Sequence, residues 1–195
     1  MELCRLMLDC ALEDLRGWRG PIVLVPEDRD DLDWARSLPA RRPDRPAPVT
    51  VLAQGAGNLG RKLERLDRAL DAMQLTRRIY IGSDAPALKP RHYRRVIAGL
   101  ATHDAVLAAA RDGGVTMMAT RRGWPQLARL PWGTPGLAHA LSAACRRTGR
   151  PALEIPGGFD VDRRSDLATL ARALRGDARP ARRELHRWLA RNRLA

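Results

Sequence analysis

"RIYIGSDAPAL", residues 78–88, carries an apolar run straight into Gly82-Ser83-Asp84, with Pro86 close behind. An unbroken apolar run of this length reads as a strand covered on both faces. The Gly-Ser-Asp at its end has two readings. One is a tight turn in which Asp84 bonds its own backbone. The other is a ligand site at the carboxyl edge of a parallel sheet, where open α/β sheets bind their ligands.

The flanking sequence favours the parallel sheet. "PIVLV" (21–25), "VTVLAQ" (49–54), "DAVLAAA" (104–110), "VTMMA" (115–119) and "ALEI" (152–155) are further short apolar runs. Helical periods lie between them. "ELCRLMLDCALEDL" sets Leu3, Leu6, Met7, Cys10 and Leu15 near one stripe, and "NLGRKLERLDRALDAM" spaces Leu59, Leu63, Leu66, Leu70 and Met73 by fours and threes. Pro90 opens a helix with Val96, Ile97 and Leu100 inward. "TPGLAHALSAACRRTG" offers Thr134 as N-cap, Pro135 in the first turn and Gly149 past the end. Residues 26–48 read as a long connection with one helical turn near Trp34. This alternation predicts an α/β fold, a mostly parallel sheet with helices on both faces. One domain is expected over residues 1–175, with an Arg-rich helical extension over 176–195.

At 195 residues the chain is long enough to bury a core. No apolar run approaches the ~20 residues that span a bilayer. "MELCRLMLDCALEDL" lacks the basic lead and cleavage site of a signal peptide. Cys4, Cys10 and Cys145 make neither a disulfide framework nor a metal quartet. Cys4 and Cys145 are expected as reduced core thiols, which points to the cytoplasm. His92, His103, His139 and His186 show no metal-ligand spacing.

The formal charge of +13 is carried almost wholly by arginine, 33 Arg against 2 Lys. Residues 172–195 hold eight arginines against Asp177 and Glu184. A solvated helix face accounts for such a run. Charge alone supports only non-specific contact with nucleic acid. No nucleic-acid motif accompanies it and stacking aromatics are scarce, so nucleic acid is not expected as a partner.

Three polar clusters fall at strand ends: Gly82-Ser83-Asp84, Asp112-Gly113-Gly114 and Asp160-Val161-Asp162. Glycines let a ligand approach the backbone, and carboxylates are hard oxygen ligands of the kind magnesium takes beside substrate phosphates. Each cluster also has a plain structural reading. The first is a turn, "DGG" a hairpin, and "DVD" a source of helix-start charge.

Taken in order, "GNLGRKL" (57–63), "IGSDAPAL" (81–88), "AARDGG" (109–114), "LPWGTPGL" (130–137) and "FDVDRRSDL" (159–167) resemble bacterial proteins of the DUF2064 type. These are also called radical-SAM/selenodomain-associated transferase 1. The resemblance spans residues 3–174. It implies the GT-A (nucleotide-diphospho-sugar transferase) fold and glycosyl or nucleotidyl transfer from a nucleotide-sugar or nucleoside triphosphate to an unidentified acceptor. It also implies Mg2+ or Mn2+ as cofactor.

Under the resemblance, Asp84 is a catalytic and metal-binding aspartate, with Asp160 and Asp162 as later metal ligands. Asp112 is the second catalytic carboxylate. Asn58, Gly60, Arg61, Gly82, Ser83, Gly113, Gly114, Trp132 and Thr134 are nucleotide- or substrate-binding. The family begins with a strand and a basic, phosphate-holding loop, whereas this chain begins at the helix after them. The expectation is therefore an N-terminally truncated GT-A sheet with an unpaired central position, which would permit strand exchange in a homo-oligomer. A non-catalytic GT-A-like remnant serving as a binding or scaffold protein stands beside the transferase reading. Asn58 also replaces a usual aspartate, Ala85 a common cysteine, and Gly133 a small hydroxyl residue.

Overall fold

The computed structural model describes residues 1–38 and 48–194. Residues 39–47, the Arg- and Pro-rich part of the expected connection, lie outside the described residues. Seven helices are described: α1 (Glu2–Asp14), α2 (Leu32–Ser37), α3 (Leu59–Ala72), α4 (Pro90–Thr102), α5 (Leu137–Arg147), α6 (Asp166–Leu174) and α7 (Pro180–Arg191). β1 (Ile22–Leu24) and β2 (Val49–Val51) form a parallel pair. β3 (Arg78–Ile81), β4 (Ala105–Ala110), β5 (Val115–Thr120) and β6 (Ala152–Gly158) form a second sheet in the order β3-β5-β4-β6. β5 is antiparallel to both neighbours and β6 is parallel to β4. β3, β4 and β6 therefore run the same way, and β5 alone is reversed.

The central strand β4 shows why the sheet is covered on both faces. Val106 and Ala108 point to one side, where Val96 and Leu100 of α4 meet them. Ala105 and Leu107 point to the other, against Leu141 and Cys145 of α5. The two-residue period of a strand divides an apolar run between two cores. A third cluster joins Leu6 and Cys10 of α1, Leu170 and Leu174 of α6, and Leu185 and Leu189 of α7.

An ionic clasp closes this third cluster. The fully buried Arg182 donates from Nε to the Pro86 carbonyl (3.0 Å), and its Nη1 and Nη2 pair with Glu13 (3.0 Å) and Asp14 (2.6 Å). Arg179 donates to Asp14 Oδ1 (2.7 Å), to Asp177 (2.8 Å) and to the Leu88 carbonyl (2.8 Å). The Tyr93 hydroxyl also donates to Asp14 (2.9 Å). Two arginines of the basic tail thus turn inward, where each finds carboxylates and carbonyls that satisfy its donors.

Several local expectations differ from the structure. Ile97 is 47% exposed, because the buried stripe of α4 runs through Val96, Gly99 and Leu100. Cys4 is exposed, and Cys10 is the buried thiol of α1, pushed up to about 12 by burial. α5 begins at Leu137. The Thr134 Oγ1 instead accepts from the Gly136 N–H (3.3 Å) and shapes the turn before the helix. His92 is buried, with Nδ1 accepting from the Lys89 N–H (3.0 Å) at the start of α4. Among the described residues no helix is long and apolar enough to cross a membrane.

β1 and β3 are each paired on one side only. Residues of both line one groove of about 1470 Å³. Leu8, Ala11 and Leu12 of α1 and Leu59, Leu63 and Leu66 of α3 line it as well. α1 lies on the α4 side of the sheet, through Tyr93 and Asp14. α3 lies on the α5 side, where Leu63 packs with Leu141 and Cys145.

Candidate active site

The groove ends at the carboxyl end of β3. There the chain leaves Ile81 through Gly82 and Ser83 to Asp84. A Cβ on Gly82 would sit 2.2 Å from Asp84 Oδ1, so only glycine lets the carboxylate fold back over its own backbone. The Val161 N–H donates to the Asp84 carbonyl at 2.8 Å and draws the segment after β6 alongside. Asp166, in the first turn of α6, accepts from the N–H groups of Asp162 (3.1 Å) and Arg163 (2.7 Å) and fixes the next turn. The result is a trio: Asp84, Asp160 and Asp162 each present a carboxylate oxygen, all within 4.8 Å of one another.

Three carboxylates so close repel one another. Burial, then the charges of Asp112, Asp162 and Asp84, push Asp160 up from 3.8 to about 6. Asp84 is raised in the same sense, first by desolvation and then by Asp162. Its side chain still touches solvent, because the groove is concave rather than closed. This cluster of negative charge on hard oxygen donors fits a divalent cation. Among the described residues no other group of three or more acidic, His or Cys side chains is so arranged.

The remaining expected residues fall into two sets. Gly82, Ser83, Asp112, Gly114, Trp132 and Thr134 line the groove with the trio. Asp112 stands outside the trio. It caps its own hairpin by accepting from the Gly114 N–H (3.0 Å), and its charge reaches Asp160. Gly113 has φ +92°, and a Cβ there would meet the Pro135 carbonyl at 1.9 Å, so it seats the β4–β5 turn against the start of α5.

Asn58, Gly60 and Arg61 do not line the groove. Asn58 caps α3 by accepting from the Arg61 N–H (3.0 Å) and donates to the Ala128 carbonyl (2.9 Å). Gly60 lets α3 approach the segment after Trp124, since a Cβ would lie 2.2 Å from the Leu127 carbonyl. These residues brace the 127–132 loop, and Trp132 joins it through Nε1 to the Leu127 carbonyl (2.9 Å).

Sequence reading missed several participants. Glu64 holds the same loop, accepting from the Leu127 (2.7 Å) and Ala128 (2.9 Å) N–H groups. Lys62, Arg111 and Arg163 bring positive charge to the groove lining. Asp166 had a signal, since it sits four residues after Asp162 at a helix start. Arg111 and Arg163 had none, being two among 33 arginines.

The fold places the chain among proteins of the nucleotide-diphospho-sugar transferase, or GT-A-like, architecture. A crystal structure from Desulfovibrio desulfuricans G20, of a protein provisionally assigned as a nucleotide-diphospho-sugar transferase, superposes with a TM-score of 0.76. The two are 23% identical, and the match covers 97% of this chain and 83% of that one. The chain belongs to the DUF2064 family, described as an uncharacterized protein conserved in bacteria, whose model matches residues 10–134. No curated protein matches it.

Proposed function

We propose that this chain is a divalent-metal-dependent transferase that takes a nucleotide-activated donor, a nucleotide-sugar or a nucleoside triphosphate, and transfers its glycosyl or nucleotidyl group to an acceptor. The observation that carries this reading is the convergence of Asp84, Asp160 and Asp162 at the carboxyl end of β3, in a groove of the GT-A-like fold. Asp84, Asp160 and Asp162 would hold Mg2+ or Mn2+. When bound, the metal would supply Lewis-acid stabilisation of the charge that builds on a departing phosphate.

The chain's own residues supply binding and orientation. Gly82 and Gly114 leave backbone open to close approach. Arg111 and Arg163 bring positive charge to the groove that holds the trio, where a donor's phosphates would be accommodated. Trp132, fixed through Nε1, offers an aromatic face on the groove wall. Asp112, at the hairpin turn, would accept a bond from an acceptor or sugar hydroxyl.

The test is a thermal melt of the chain against nucleoside triphosphates and nucleotide-sugars, with and without Mg2+ or Mn2+. A rise that needs both metal and one nucleotide supports the proposal and names the donor. A cooperative melt indifferent to every combination overturns it, in favour of a GT-A-like scaffold without catalysis.

A further inference from the structure

Lys62 is the cation of the "GNLGRKL" motif that reaches the groove. Leu59, Lys62 and Leu63 line it, whereas Asn58, Gly60 and Arg61 do not. The Lys62 side chain is 15% exposed, and its Nζ donates to Glu27 Oε1 at 2.6 Å. An ammonium carries three donors. This bond uses one, and among the described residues no other group accepts from Nζ. Arg65, three residues on, is spent on the Gln54 and Ala56 carbonyls, so Lys62 is the α3 cation left for a ligand.

The two partners are unlike. Lys62 sits in the first turn of α3, which the Asn58 cap and its bond to Ala128 hold in place. Glu27 lies between β1 and α2, lines the same groove, and has a side chain 80% exposed. An exposed carboxylate gains little from such a pair, because water and salt screen it. Glu27 can therefore swing away at small cost, while the ammonium stays in the groove wall. The bond and charge of Lys62 hold the Glu27 carboxyl below its usual range, so the pair stays charged through neutral and mildly acid pH.

Carboxylate and phosphate oxygens accept the same charge-assisted bond from an ammonium. Glu27 thus occupies the place on Lys62 that a phosphate in the groove would take. We infer that Lys62 binds a phosphate of the donor, and that Glu27 is a built-in competitor which this phosphate displaces. The inference rests on the transferase reading and adds to it a binding residue outside the loops that carry the trio. The plain alternative is a tether between the β1–α2 connection and α3. The two differ in sign. Removing a competitor tightens phosphate binding, whereas removing either end of a tether weakens it.

The probe is inorganic tripolyphosphate, which carries the phosphates of a nucleotide without base or sugar. Its affinity for the 195-residue chain is measured by calorimetric titration, with and without Mn2+. Lys62→Met is expected to weaken binding about tenfold. Glu27→Gln is expected to tighten it about threefold. In the double variant the Glu27 substitution is expected to have no further effect, because its target is gone. A Glu27→Gln variant that binds no more tightly than the parent overturns the inference, as does a Lys62→Met variant with unchanged affinity. A gain that survives in the double variant also overturns it, since net charge alone would then be responsible. So does a parent that binds no tripolyphosphate. Mn2+ titrated alone reads the trio separately. A chain that binds Mn2+ but ignores both substitutions fails this inference and keeps the metal site. One that holds tripolyphosphate through Lys62 yet binds no Mn2+ keeps this inference and fails the metal-dependent reading.

Discussion

The Val161 N–H donates to the Asp84 carbonyl oxygen at 2.8 Å, and this bond joins the segment after β3 to the segment after β6. Both segments follow strands that run the same way, so their ends meet on one side of the sheet. The carboxylates of Asp84, Asp160 and Asp162 are brought within 4.8 Å as a result.

Removing one of these charges separates binding from folding. Asp162→Asn keeps the shape and the Asp166 contact to its backbone, but removes one of the three proposed ligands and relieves repulsion on Asp160. Calorimetric titration with Mn2+ is expected to show an affinity loss of about 10-fold or more. The melt of the metal-free variant should stay level or rise. A lowered melt with unchanged Mn2+ affinity would mean that Asp162 serves the fold instead.

The trio also predicts a pH signature. Asp160 is pushed up to about 6 in the folded chain, against 3.8 ordinarily. Between about pH 6 and pH 4 the folded state holds a proton that the unfolded state has released, so stability rises as pH falls through that window. The carboxylates of Asp177 and Asp104 are held low by Arg179 and Arg121, so their opposite effect comes only below their ordinary value of 3.8. Burial and the cations around it hold the buried His92 imidazole below its usual 6.5, which opposes this gain below that pH. Urea titrations at pH 7 and pH 5 should therefore show the metal-free parent gaining stability relative to Asp160→Asn as pH falls. Mn2+ affinity should fall in the same interval, as proton and metal compete.

Gly82→Ala tests positioning without touching a charge. The added Cβ would meet Asp84 Oδ1 at 2.2 Å and turn the carboxylate away. The backbone of Gly82 lies outside the positive-φ region, so the fold loses little. Weakened Mn2+ binding with a Tm within a few degrees of the parent is the expected pair of results. Unchanged metal binding would show that Asp84 has another productive rotamer.

Arg182→Met leaves buried Glu13 without its cation and buried Asp14 with Arg179 alone. Breaking a buried pair in this way costs about 3–5 kcal/mol, read by urea unfolding. The same substitution frees the Pro86 carbonyl, two residues beyond Asp84. Metal affinity should therefore fall as well, and protection of the 84–88 amides from hydrogen exchange should weaken.

Much of the architecture was legible because the apolar runs were short and the helical stripes regular. β4 and α3 appear within one or two residues of where their patterns put them. The three aspartates could be singled out because each followed a strand-like run. Their convergence could not, since it depends on strand order and on the Val161 bond. Arg182 was hidden for a different reason. In a segment with eight arginines, nothing local distinguishes the one that turns inward; its carboxylate partners lie at the other end of the sequence. Asn58 and Gly60 carried a family motif, yet their contacts run to the 127–132 loop rather than into the groove.

The clasp between α1 and α7 also bears on how the chain is made. Arg182 reaches the Cys10 carbonyl across 172 positions of sequence. On a ribosome adding about 5–20 residues per second, α1 would wait on the order of 10 s for the helix that covers it. Through that interval Leu6, Met7 and Cys10 have no α7 to bury them, and Glu13 and Asp14 keep their water until the arginines arrive. α7 is thus synthesised long after α1 and is the helix that seals it. A chain stalled shortly before Arg179 would present a greasy, acidic helix to whatever chaperone attends the exit tunnel.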